Sequence, residues 1–292
     1  MEDQDVIIEL ELLEYWVGLA PGAFHVSDLS RHKDNQQIYI DRLEILVERG
    51  ILERYGDKRG WYQPRKTRLE EIDYVNVGAS YVDIWLPFGL SDAVEIHSGN
   101  VIIVSGAPNS GKTAIMLNVI KENRGKDWDI FYFSSEMGAT ELNKRLRKFP
   151  DISIDQWGFK AYHRSGDFHE VVKPGTNSLN IIDFLEIHDK FYKVGECIKK
   201  IHDNLDGAIA FICLQKNPGQ DTGLGGYRTM EVARLVLALD HGRVKVTKAK
   251  NFMDPEWNPN GRVRDFKLVN GCQIVDRYGW YREKDNDVDR ST

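Results

Sequence analysis

Eight consecutive residues, Gly106-Ala107-Pro108-Asn109-Ser110-Gly111-Lys112-Thr113, fit the spacing G-x-x-x-x-G-K-[ST] and bring together the groups that hold a run of phosphates. The glycines let successive backbone amides turn inward around anionic oxygens. Lys112 supplies an ammonium for the outer phosphates, and Thr113 a hydroxyl suited to Mg²⁺. A helix starting at Lys112 adds the partial positive charge of its first turn. Magnesium also needs a carboxylate, and Leu179-Asn180-Ile181-Ile182-Asp183 ends an apolar run in Asp183. Acids stand at strand ends without any metal too, but after such a loop Asp183 is the best candidate in the chain. Hydrolysis requires a group that orients or deprotonates water, and Glu136 follows closely on the apolar run Ile130 to Phe133. The alternative for Glu136 is an acid that favours a helix N-terminus.

Positioning these groups calls for alternating strands and helices. Val101 to Ser105 is a β-branched run before the loop, Lys112 to Lys121 reads as a helix, Ile130 to Phe133 as a strand, and Ala139 to Phe149 as a helix. Further strands are expected at Phe159 to His163, Leu179 to Asp183, Ala208 to Leu214, Leu235 to Leu239, Val244 to Lys248 and Val263 to Val269. A helix is expected near Lys190 to Leu205, with Phe191, Val194, Ile198, Ile201 and Leu205 on one face.

The first 65 residues read differently. Apolar side chains at Val6, Ile7, Leu10, Leu13 and Val17 mark a helix that Pro21-Gly22 ends. Ser27-Asp28 opens a short second helix to about Lys33, Asp34-Asn35 makes a turn, and Ile40, Leu43, Leu46 and Val47 mark a third helix ending at Gly50. Two strands, Ile51 to Tyr55 and Trp61 to Gln63, follow, joined by Gly56 to Gly60. The expected organisation is thus a small domain at 6–65, a linker at 66–86, an α/β domain at 87–275 and a charged tail at 276–292.

With 41% hydrophobic and 29% charged residues the chain can fill a sizeable core. The net charge of −6 excludes a surface that is basic all round, yet residues 31–68 hold ten Lys or Arg against six acids. Cys197, Cys213 and Cys272 are widely spaced, which suggests buried thiols rather than disulfides or zinc. The acidic start and the lack of any apolar run near the roughly 18 residues of a bilayer span point to a cytoplasmic protein without membrane association.

Phe133-Ser134-Ser135-Glu136-Met137-Gly138, with Glu141-Leu142 and Arg145 after it, is similar to the segment carrying the catalytic glutamate in DnaB-type replicative helicases and other RecA-like ATPases. The order phosphate loop, Glu136, Asp183 and Gln215 matches that family over most of residues 85–275. The resemblance implies a RecA-like P-loop NTPase core with a mainly parallel sheet, using ATP and Mg²⁺. It also implies that Gln215 senses the γ-phosphate, where the bland alternative is a buried strand-end glutamine. The stretch after it faces DNA in the family. Lys216 and Arg228 suit phosphates and Tyr227 suits base stacking, although such loops are often plain connectors. Lys248 and Lys250 resemble the cations that reach a neighbouring subunit's γ-phosphate, in a hexameric ring or filament of identical copies. Lys250 stands where the family carries arginine, keeping the charge without the planar fork, and an exposed strand with recurring cations (Lys245, Lys248, Lys250) is the alternative.

Three helices and a hairpin resemble a winged-helix domain, in place of the helical N-terminal domain of DnaB-type helicases. That resemblance implies base contacts from Gln36, Gln37, Tyr39 and Arg42 and backbone contacts from Lys58 and Arg59 on duplex DNA. The same fold also serves protein interaction. The expected function is a DNA-dependent ATPase and helicase-like motor on single-stranded DNA, in replication or recombination. Its alternatives are an ATP-switched initiator or helicase-loading factor, and a recombinase-like filament former.

Overall fold

The computed structural model describes residues 9–20, 22–56, 59–65, 74–75, 81–185 and 193–283. The chain divides into two units, Met1–Val77 and Gly78–Thr292.

In the smaller unit, helix α1 (Leu10–Leu19) is followed by strand β1 (Phe24–His25), a 3₁₀ turn at Val26–Asp28 and helix α2 (Lys33–Glu48). Strands β2 (Leu52–Arg54) and β3 (Trp61–Pro64) complete it, in an antiparallel sheet of order β1-β3-β2. Leu13 and Val17 of α1 meet Tyr39, Leu43 and Leu46 of α2 over Phe24, Leu52 and Tyr62 of the sheet. The spacing of those apolar residues on each helix is what turns one face inward. Two expectations are corrected. Asp34-Asn35 lies in the first turn of α2, not between helices, and the short second helix is the 3₁₀ turn. Aspartate and asparagine favour helix starts as well as turns, so their presence did not separate the two. β1, a two-residue strand, was not expected at all.

The larger unit is built on a ten-stranded sheet of order β12-β11-β10-β9-β4-β8-β7-β5-β6, with β13 beside β11. Its parallel part comprises β4 (Val101–Gly106), β5 (Asp129–Ser134), β6 (Lys160–His163), β7 (Ser178–Asp183), β8 (Ile209–Gln215) and β9 (Leu235–Asp240). The antiparallel strands β10 (Arg243–Ala249), β11 (Arg262–Val269), β12 (Gln273–Asp276) and β13 (Tyr281–Arg282) extend it on one side.

Every residue of β4 is buried, as a parallel strand covered on both faces requires. Its side chains alternate between two cores. Ile102 and Val104 join Ile115, Met116 and Val119 of helix α3 (Lys112–Asn123), while Val101 and Ile103 join Ile198 and Ile201 of helix α5 (Val194–Asp203). Helix α4 (Ala139–Leu146) lies with the α3 core through Leu142 and Leu146. Phe191, expected on the face of α5, falls outside the described residues.

Both edges of this unit differ from the sequence reading. Ile84 and Leu86, assigned to the linker, are buried in the core beside α3. Past residue 275 the chain returns to the sheet, where β13 pairs with β11 and Trp280 Nε1 donates to the Phe88 carbonyl at 3.1 Å. Neither segment has a period long enough to register as an element in the sequence.

Tyr62 yields a test of the smaller unit. Its hydroxyl donates to Glu44 Oε1 at 2.9 Å, and burial, followed by that carboxylate, pushes its pKa up to about 12 from 10.0. The folded state therefore holds this proton more tightly than the unfolded chain, so the associated stability is complete below pH 10.0 and is lost as pH rises toward about 12. Phenolate absorbance of wild type minus Tyr62→Phe should give a difference titration well above the ordinary tyrosine range. A midpoint near 10 would contradict the burial.

Candidate functional site

The carboxyl edge of the parallel strands gathers most of the residues singled out in the sequence. β4 ends at Gly106, paired with Gln215 of β8 on one side and Leu239 of β9 on the other. The loop 106–113 then turns into α3. Gly111 has φ +97°, a left-handed conformation, and a Cβ there would collide with the Leu268 side chain of β11. At Gly106 a Cβ would fall 2.5 Å from Ser110 Oγ and 2.6 Å from Lys112 Cγ. The spacing of the motif is thus a requirement for backbone room as well as for amide direction.

The loop has unused hydrogen-bonding capacity suited to an anion. Among the described residues the amides of Gly111, Lys112 and Thr113 have no backbone acceptor, as expected of a helix start, and Ser110 Oγ is buried without a partner. Lys112 Nζ instead donates to the carbonyls of Gly106 and Ala107, at 3.0 and 3.1 Å. Burial holds its pKa below the ordinary lysine value, while negative charge at Asp183 and Glu136 acts the other way. Orphaned amides, a buried hydroxyl and an ammonium bonded only to carbonyls fit a polyphosphate.

Asp183 ends β7 and is 3% exposed. Burial raises its pKa, and hydrogen bonds from the Tyr132 and Thr113 hydroxyls and the charges of Lys112 and Arg145 oppose the rise. Thr113 and Asp183 therefore come together, as a shared Mg²⁺ site demands. Cys213 is fully buried beside them, with its thiol pushed well up by burial and then by the Asp183 charge.

Glu136 lies in the turn between β5 and α4 and is exposed. That turn is fastened to the end of β7. The Ser135 amide donates to the Asp183 carbonyl at 3.1 Å, and the Phe184 amide donates to Ser135 Oγ at 3.2 Å. Gln215 reaches the same edge, and the next amide, of Lys216, donates to the Gly106 carbonyl at 3.1 Å.

Other predicted residues are not brought to this edge. Lys248 and Lys250 stand at the far end of β10, where Ala249 pairs with Leu235 at the start of β9. Lys248 Nζ is held by the Met230 and Glu231 carbonyls, and burial lowers its pKa, with Lys250 and Arg234 adding to the effect. Lys250 is exposed. Neither can touch the phosphate loop of its own chain.

Two expected DNA contacts are corrected. The Lys216 side chain is 0% exposed, with Nζ 2.7 Å from Asp240 Oδ1. Tyr39, 1% exposed, is part of the core of the smaller unit. A cation after a strand and a tyrosine on a helix read as surface groups, and nothing local in the sequence marks an inward partner. Nor is the loop after Gln215 free. The Gly219 amide donates to Asp240 Oδ1 at 3.3 Å, the Leu224 amide to the Gln215 carbonyl at 2.8 Å, and Lys245 pairs with Asp221 at 2.6 Å. Tyr227 is 73% exposed and Arg228 is exposed. On α2, Gln37 is exposed but bonded to Asp41, Gln36 donates to the Ser30 carbonyl, and Arg42 is half-buried. Arg59 is exposed, and Lys58 lies outside the described residues. Tyr132 and Asp240 were missed. A lone hydroxyl in the apolar run Ile130 to Phe133, and an acid closing Leu235 to Leu239, were the available signals.

No protein-family model and no curated protein matches the chain. Solved structures do. A KaiC-like protein from the hyperthermophilic archaeon Pyrococcus horikoshii is 16% identical with a TM-score of 0.52, covering 68% of this chain and 99% of its own. The larger unit has the RecA-like P-loop fold. The ATPase domain of a DnaB-type helicase is also similar, at 15% identity and a TM-score of 0.47, covering 62% of this chain and 86% of its own.

The Lys216–Asp240 pair gives a test of the edge. Asp240→Asn leaves a buried ammonium without its anion and should cost ~1–3 kcal/mol in chemical denaturation. Lys216→Met, which removes the charge and keeps the bulk, should cost less. The reverse order would refute the inward placement of Lys216.

Proposed function

We propose that this chain is a DNA-dependent ATPase of the RecA and DnaB type, a helicase-like motor that moves along single-stranded DNA. The observation that supports it most is the meeting of the open amides of Gly111 to Thr113, Lys112, Asp183, Glu136 and Gln215 at one sheet edge. In this reading residues 106–113 cradle the phosphates of ATP, with Lys112 leaving the Gly106 and Ala107 carbonyls for the outer oxygens. Thr113 and Asp183 hold Mg²⁺, which when bound offsets charge on the phosphates. Glu136 orients and deprotonates the attacking water, and Gln215 senses the terminal phosphate.

The position of Lys248 and Lys250, at the edge away from their own phosphate loop, supports a role toward the nucleotide of a second copy. That implies a hexameric ring or a filament with ATP between subunits. Strand contact falls to the exposed Tyr227 and Arg228, since Lys216 is engaged with Asp240. The smaller unit is proposed to be a winged helix that contacts duplex DNA through Gln36, Gln37, Arg42, Lys58 and Arg59.

A second reading is an ATP-switched initiator or helicase-loading factor. It is favoured by the mixed helix-and-sheet build of the smaller unit, where DnaB-type helicases carry a helical domain. A recombinase-like filament is the third, tested by imaging the protein with ATP and single-stranded DNA.

Single-stranded DNA should stimulate ATP hydrolysis, and the stimulation should fall steeply as salt rises. Lys112→Ala should lower turnover by ~10²-fold or more, and Glu136→Gln should do the same while leaving ATP binding intact. Wild-type turnover from either variant rejects the role of that residue. Hydrolysis without strand displacement would favour the second reading over the motor.

A further inference from the structure

Among the groups around the phosphate loop, Tyr132 makes a contact that the proposed chemistry leaves unassigned. It sits on β5 opposite Ile181 of β7, and Asp183 lies two residues further along β7. Side chains two apart on a strand share a face, so the phenol and the carboxylate meet diagonally across adjacent strands. The hydroxyl lies 2.7 Å from Asp183 Oδ2, and the two side chains are 0% and 3% exposed.

The ring itself is held by packing. It meets Phe159 edge-on, with centroids 5.9 Å apart, and its neighbours along the strand are Phe131 and Phe133. A phenylalanine would therefore fill the same space, and what tyrosine adds is one directed O–H. A phenol aimed at a carboxylate can only donate, so it occupies one oxygen and restrains the rotation of the group.

We propose that Tyr132 is a positioning residue for magnesium: by engaging Oδ2 it turns the other oxygen of Asp183 toward Thr113 and the metal. The proposal rests on the nucleotide-site reading above. Partners of this kind, one bond removed from a metal, change its affinity by ~10–100-fold when deleted.

Calorimetry of ADP binding to the full chain, with Mg²⁺ and with EDTA, separates the two readings. Tyr132→Phe should bind ADP as wild type does in EDTA and lose about tenfold of the tightening that Mg²⁺ gives. On an Asp183→Asn background the same substitution should change nothing further. A Mg²⁺ effect within about twofold of wild type, or a loss that adds fully to that of Asp183→Asn, overturns the role. So does a Tyr132→Phe chain that fails to fold by tryptophan fluorescence, since the hydroxyl would then serve stability. If wild type gives no heat with ADP in either condition, the nucleotide-site reading falls and takes this one with it.

Discussion

A helix whose first amides have no acceptor must find one outside the protein backbone, in water or in a ligand, and α3 begins in this way at Lys112. Much of the larger unit serves to keep that start open. Gly106 and Gly111 remove the side chains that would close it, and Leu268 leaves no room for a Cβ at Gly111. Asn118 fixes α3 further along, with Nδ2 donating to the Cys272 carbonyl at 2.7 Å, and Asn123 bonds the Trp85 carbonyl at 3.1 Å. The rigid helix makes the open turn a fixed feature rather than a frayed end.

Around that opening the low dielectric of the sheet edge sets the electrostatics. Burial depresses the Lys112 pKa and raises that of Asp183, so each is less charged than it would be in water. Each also lies within the other's field, which works against both shifts. A polyanion and a dication entering together would favour both charged forms, and the site is therefore best suited to taking them as a pair.

Legibility in the sequence followed the range of the interactions. The phosphate loop, Asp183 and Glu136 could be read because their chemistry depends on neighbours within a few residues, and the strands of the parallel sheet because burial on both faces forces long apolar runs. Lys216, Tyr39 and Tyr132 could not. The ammonium of Lys216 is matched by Asp240, 24 residues away, and the Tyr132 hydroxyl by Asp183, 51 residues away. Burial of a polar group is decided by a partner that only the fold supplies. Short strands such as β1 and β13 escaped for the related reason that pairing, not local preference, creates them.

The place of β4 in the sheet has a consequence for how the chain comes into being. Its two hydrogen-bonded neighbours, β8 and β9, begin roughly a hundred residues or more downstream, whereas the next strand in sequence, β5, lies three places away. During synthesis the most apolar strand of the unit leaves the ribosome long before anything it pairs with, carrying the glycine loop behind it. The emerging segment has to be shielded, by transient collapse or by a chaperone, until β8 arrives. The strand order that gives the phosphate loop its support on both sides is thus also what makes the nascent polypeptide vulnerable to association with its own kind.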